Sequence, residues 1–112
     1  MAGRIPSAVK DFVARYVDSI AVLEILLFLR REAQRDWTAA TISRELKLER
    51  GNVEDRLEQL RTDRLLVTRK NGPERAYRYE PATDELEDAV KQLAECYVWQ
   101  PVALISLIFG RK

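Results

Sequence analysis

Apolar residues recur along this chain at helical spacing first, then at strand spacing, then at helical spacing again. After Pro6, Val9, Phe12, Val13 and Tyr16 or Val17 share one face, which predicts a helix over residues 7–17. Asp18 or Ser19 offers a side-chain oxygen to cap a second helix. That helix carries Ile20, Leu23 and Leu27 with Ile25, Leu26 and Leu29, a stripe wide enough to be largely buried, before RREAQRD returns the chain to solvent. Thr38 caps a short helix ending near Leu46, with Ile42 and Leu46 four apart and facing inward. Lys47 and Leu48 make a turn into a helix from Arg50 to Thr62, whose buried stripe is Val53, Leu57 and Leu60.

The period then shortens. Leu65 to Lys70 and Arg75 to Glu80 are short runs with β-branched and aromatic residues, which predicts a hairpin across Asn71-Gly72-Pro73-Glu74. Asn-Gly supplies the positive φ angles of such a turn, and Pro73 directly after it favours a four-residue loop over a two-residue one. Past Pro81, Thr83 caps a long helix with Asp84, Glu85 and Glu87 in its first turn, where the helix dipole favours acids. Leu86, Val90, Leu93 and Tyr97 form its seam, and Pro101 kinks or restarts it. The following VALISLIF is apolar on nearly every side, and no internal repeat or low-complexity linker is present.

Composition narrows the function classes. The 112 residues, 46% hydrophobic and 33% charged, suffice for one globular domain. Nineteen basic against eighteen acidic residues give a net charge of +1, so the distribution of charge has to decide the partner. The chain has no histidine and a single cysteine, Cys96, which excludes histidine-dependent triads, a Cys/His zinc site and an intrachain disulfide. With no Gly-rich phosphate loop and no paired carboxylates in a cleft, no enzyme, metal or cofactor is expected. MAGRIPSAVKDF lacks the apolar core of a signal peptide, and IAVLEILLFL and VALISLIF fall short of the ~20 residues of a membrane span. A reducing, cytoplasmic setting is the expectation.

The run LLFLRREAQRDWTAATISRELKLERGNVEDRLEQLRTDRLLVTRKNGPERAYRYE resembles the winged helix-turn-helix superfamily, in the manner of the bacterial MarR-like and ArsR-like regulators. It follows their order of core helix, T-x-x-x-I/L-S/A-x-x-L helix, V-x-x-x-L-x-x-L helix and L-V/L start of a wing. The resemblance implies a mainly α fold with a small β-hairpin wing and extra N- and C-terminal helices. Residues 1–18 would be an N-terminal packing or dimerisation helix, 19–81 the winged unit, and 82–112 the C-terminal dimerisation or packing helices. It further implies a DNA-binding transcriptional regulator acting as a homodimer, with the Val53-Leu57-Leu60 helix in the major groove and the wing on neighbouring backbone. The alternative is a protein-docking module of the same fold, engaged through its acidic helix or its apolar C-terminal tail.

Two positions depart from the family pattern. A glycine usually turns the chain between the second helix and the strand, and Arg64 stands there. The second helix exposes Glu54, Asp55 and Glu58 where related regulators carry polar or basic residues. Over Glu49 to Arg64 the charge is 4 − 5 = −1, whereas Arg69 to Arg78 sums to 4 − 1 = +3. The expected DNA contacts are therefore Arg44, Arg50, Asn52 and Arg56 on the helices and Arg69, Lys70, Arg75 and Arg78 on the wing.

Each signal also has a plainer meaning. The helix charges suit a solvated face laced with ion pairs, and the basic hairpin suits an edge strand defended against pairing. Tyr77 and Tyr79 point to one face, for packing in preference to base stacking, and Trp37 reads as core. Cys96 is most simply a small buried hydrophobe, with redox sensing the other use of a thiol there. The apolar surplus of the terminal helices predicts a two-fold dimer through Phe12, Tyr16, Leu93, Tyr97, Leu104, Ile105 and Ile108.

Overall fold

The computed structural model describes residues 5–110. The elements run α1 (Ser7–Tyr16), α2 (Ile20–Arg31), β1 (Trp37–Thr38), α3 (Ala39–Leu46), α4 (Arg50–Thr62), β2 (Leu66–Asn71), β3 (Glu74–Tyr79), α5 (Asp84–Trp99) and α6 (Pro101–Phe109). The fold is mainly helical with one small antiparallel sheet. Ala21–Ala82 forms one compact unit, and the helices on either side of it, α1 with α5 and α6, form a second. The expected absence of a signal peptide concerns residues that lie in part outside those described.

In the Ala21–Ala82 unit, the wide stripe of α2 is buried at Val22, Leu23, Ile25, Leu26, Phe28 and Leu29. A capping box starts α3: Thr41 N donates to Thr38 Oγ1 at 3.2 Å, and Thr38 N donates to Thr41 Oγ1 at 3.1 Å. Lys47, at φ 58°, ends it in the left-handed region. Glu49 caps α4 by accepting from Asn52 N at 3.0 Å, and Val53, Leu57 and Leu60 form the buried stripe. Two successive backbone bonds close α4, Arg64 N to Arg61 O and Leu65 N to Leu60 O, both at 3.0 Å, with Arg64 at φ 67°. This is the Schellman arrangement, including its apolar contact positions, since Leu60 and Leu65 are both fully buried. Arginine thus occupies the left-handed position where the family pattern has glycine.

The sheet order is β1-β3-β2. Trp37 pairs with Tyr77 and Thr38 with Ala76, a third strand too short for its alternation to register in the sequence. β2 and β3 pair from Leu66 with Tyr79 to Asn71 with Glu74. The connection is therefore the two-residue Gly72-Pro73 turn, not the four-residue loop expected from Pro73. Gly72, at φ 66°, takes the positive φ that a type II′ turn demands of its first central residue. Proline fits the second, because its fixed φ suits that position and its missing N–H falls outside the ladder.

In the other unit α1 packs on α5 and α6, and α5 on α6. Thr83 caps α5 by accepting from Leu86 N at 3.1 Å. Pro101 restarts the helix as expected, and α6 leaves α5 at a bend of 116°. Val9, Phe12 and Val13 of α1, Val90, Leu93 and Cys96 of α5, and Leu104 and Ile108 of α6 are buried. Phe12, Leu93, Leu104 and Ile108, expected at a dimer seam, are thus core residues of the chain itself. Packing of these helices on one another takes up side chains of the kind a seam would need. Tyr16, Tyr97 and Ile105 are half-buried. Among the described residues no single helix is long and apolar enough to cross a membrane.

Arg64 holds a conformation that costs an L-residue with a Cβ about 1 kcal/mol, partly offset by the lower entropy of its unfolded chain. Arg64→Gly is expected to raise stability by about 0.5 kcal/mol in urea unfolding. A loss of stability would mean that the arginine side chain contributes more than its backbone costs.

Candidate functional site

The unusual chemistry of the chain lies where α4 meets the hairpin. Along α4, Arg50, Glu54, Glu58 and Arg61 recur at spacings of four, four and three, on one side of the helix. On β3, Arg75, Tyr77 and Tyr79 alternate with Ala76 and Arg78, so their side chains share one face of the sheet. Tyr77 and Tyr79 are buried there, the packing role expected of them.

Glu58 joins the two elements. Its Oε2 accepts from Tyr77 Oη at 2.6 Å and from Arg75 Nη1 at 2.9 Å, and its Oε1 accepts from Arg61 Nε at 3.1 Å. The Tyr77 hydroxyl, followed by the two guanidinium groups, holds the carboxyl below its ordinary pKa of 4.5, against the opposing effect of burial. Tyr77 is pushed up to about 12, first by burial and then by its bond to Glu58, so the shared proton stays on the phenol. A second tie crosses the same boundary: Arg50 lies 3.3 Å from Glu54 and 3.4 Å from Glu74 at the foot of the turn. Arg50, Glu54, Glu58, Pro73, Glu74 and Arg75 line a shallow groove between helix and turn.

The far side of the hairpin is tied down separately. Arg78 Nε lies 2.8 Å from Asp36 Oδ1, Arg78 Nη2 donates to Gln34 O at 3.3 Å, and Arg69 reaches Asp36 at 4.0 Å. Beside them Phe28 meets Trp37 edge to face at 4.8 Å, and the Arg35 guanidinium stacks 4.6 Å above the indole. Trp37 is core, as its position in the sequence suggested.

These contacts sort the expected site residues. Arg44, Arg50, Asn52, Arg69, Lys70 and Arg75 are exposed. Arg56 is half-buried, with its Nε shielded from water. Arg78 is half-buried and held by Asp36, which makes it a support for the hairpin. The acids Glu58, Glu74 and Asp36 were not among the expected site residues, although they determine where the basic side chains lie. The Glu58–Arg61 pairing is legible in its i,i+3 spacing, whereas the bonds to Arg75 and Tyr77 depend on strand register. Cys96 is buried, and burial pushes its thiol pKa up, which disfavours the thiolate that redox sensing needs. Among the described residues no cluster of acidic, cysteine or histidine side chains is arranged to hold a metal. No protein-family model matches this chain, and no curated protein matches it.

Because the folded pKa of Glu58 is lowered, its contribution is present above about pH 4.5 and lost as pH falls through the folded value. Glu58→Gln is expected to flatten the acid limb of the stability profile, modestly, since the side chain is 42% exposed and screened by solvent. An unchanged acid limb would remove Glu58 from its role as fastener. In an alkaline absorbance titration, Tyr77→Phe should delete the tyrosine that ionises at about 12; persistence of that step would assign it elsewhere.

Proposed function

We propose that this chain is a winged-helix DNA-binding protein, of the transcription-regulator kind that its Trp37–Tyr79 segment resembles. The observation that carries this reading is the neutralisation of Glu58 by Arg61 and Arg75. One of the three acids that oppose a DNA role for α4 is thereby a ligand of the wing, and its charge is answered within the protein. Arg69 and Lys70 on β2 are the phosphate contacts, with Arg75 beside the turn. Arg44, Arg50 and Asn52, at the end of α3 and the first turn of α4, form the groove edge. Arg56, half-buried, contributes less than these exposed groups, and Arg78 acts through the wing's position.

A second reading rests on Glu54 and Asp55, which are exposed along α4. Two carboxylates there suit a basic protein surface, for which complementary charge sets orientation and on-rate.

Binding of a short random-sequence duplex, followed by fluorescence anisotropy, distinguishes the two. Affinity is expected to fall steeply with salt, and Arg69→Ala with Lys70→Ala to lower the log–log slope by about 2. Glu54→Lys with Asp55→Lys should tighten the complex by relieving repulsion. Undetectable binding at low salt, or a slope the wing variant leaves unchanged, would overturn the DNA reading and favour the protein partner.

A further inference from the structure

The β1 side of the hairpin holds arginines that the proposed function leaves unused. RREAQRD, which carries the chain from α2 into β1, supplies Arg30, Arg31 and Arg35 against Glu32 and Asp36, and the hairpin adds Arg69 and Arg78, so this side sums to 5 − 2 = +3. Asp36 answers Arg78 at 2.8 Å and reaches Arg69 at 4.0 Å. Arg31 and Arg35 are exposed, and among the described residues neither makes an ion pair.

Aromatic rings hold both of them instead. The Arg31 guanidinium lies 5.5 Å from the centroid of Phe28 and that of Arg35 4.6 Å from the centroid of Trp37, while the two rings meet each other at 4.8 Å. Phe28 and Trp37 are only 7% and 8% exposed, so the platform beneath the arginines belongs to the core. A guanidinium stacked on a ring uses its face and keeps its in-plane N–H donors for a ligand. A phosphate accepts from such an edge two bonds at a time. Stacking also limits beforehand the side-chain freedom that binding would otherwise remove.

We infer that Arg31 and Arg35 are a second set of phosphate contacts, which extends the nucleic-acid interface from the wing along its β1 side. The cluster is continuous with the wing, because Asp36 lies between Arg35 and Trp37 in the chain and reaches Arg69, already a phosphate contact of the proposed interface. A duplex presents phosphates in an unbroken line and can meet Arg69 and the stacked arginines together, which a single acidic side chain of a protein cannot. The inference rests on the DNA reading and adds residues to it. In the sequence the same segment reads only as the polar end of α2.

Anisotropy of a fluorescent random-sequence duplex, measured across a salt series, tests it. Arg31→Ala with Arg35→Ala is expected to lower the log–log slope by about 2, and all four substitutions, with Arg69→Ala and Lys70→Ala, to lower it by about 4. Because Arg35 also covers Trp37, Arg31→Glu is measured by itself; it leaves Trp37 untouched and should lower the slope by at least about 1. Arg35→Lys keeps the charge and loses the planar stack, so it should preserve the slope and weaken binding severalfold. A slope that the wing substitutions lower but that Arg31→Ala with Arg35→Ala and Arg31→Glu all leave unchanged would overturn this inference and spare the DNA reading. Failure of the unsubstituted chain to bind at low salt would overturn both. Labelled polyglutamate that binds the unsubstituted chain and not the Arg31→Ala, Arg35→Ala variant, with the duplex slope unmoved, would assign the cluster to an acidic protein surface.

Discussion

The Glu58 carboxylate ties the backbone of this site together, because one oxygen serves two strand residues while the other serves its own helix. A hairpin attached only by its turn residues would swing about its base. Here Tyr77 and Arg75 seat it against α4, Arg50 and Glu74 hold the foot of the turn, and Asp36 holds Arg78 from the far side. Each pair alone is partly exposed and contributes little. Together they fix a geometry, since displacing the hairpin would break them at once.

Much of the fold was legible in the sequence because its helices bury one stripe and expose the rest. Val53-Leu57-Leu60 and the stripe of α2 could be read directly from spacing, and Thr38 and Thr83 from the chemistry of unpaired helix N–H groups. The departure at Arg64 was also legible, as a missing glycine where a left-handed residue is needed. What escaped was short or non-local. Two residues cannot show an alternation, so β1 was invisible. Pro73 reads as a strand disruptor until the register shows that its absent N–H falls in the turn. The site was less legible than the fold, because the ion pairs that join its elements, Arg75 with Glu58, Arg50 with Glu74 and Arg78 with Asp36, link residues far apart in the sequence.

The apolar surplus of the terminal helices illustrates the same limit in a different way. Counting hydrophobic residues indicates that the helices carry more apolar surface than one core absorbs, but not which face is left over. Leu104 and Ile108 are as apolar as Val102 and Phe109, and only the 116° corner after Trp99 decides which pair turns inward. A stripe of the right composition is therefore weak evidence of contact with another molecule until the chain's own packing has been taken out of it.

Local charge sums share that weakness, and they bear on the proposed function. Taken separately, the −1 of Glu49 to Arg64 and the +3 of Arg69 to Arg78 describe a repelling helix beside an attracting hairpin. The two are not independent, because Glu58 answers Arg75, and Glu74 answers Arg50. Their joint surface carries −1 + 3 = +2, with part of both signs spent on holding the elements together. The field at the surface comes from the exposed charges left after pairing, among them Arg64 and Lys70 on the basic side and Glu49 and Asp55 on the acidic side. The sign of that remainder, more than the charge of α4 alone, determines whether a polyanion can approach this face.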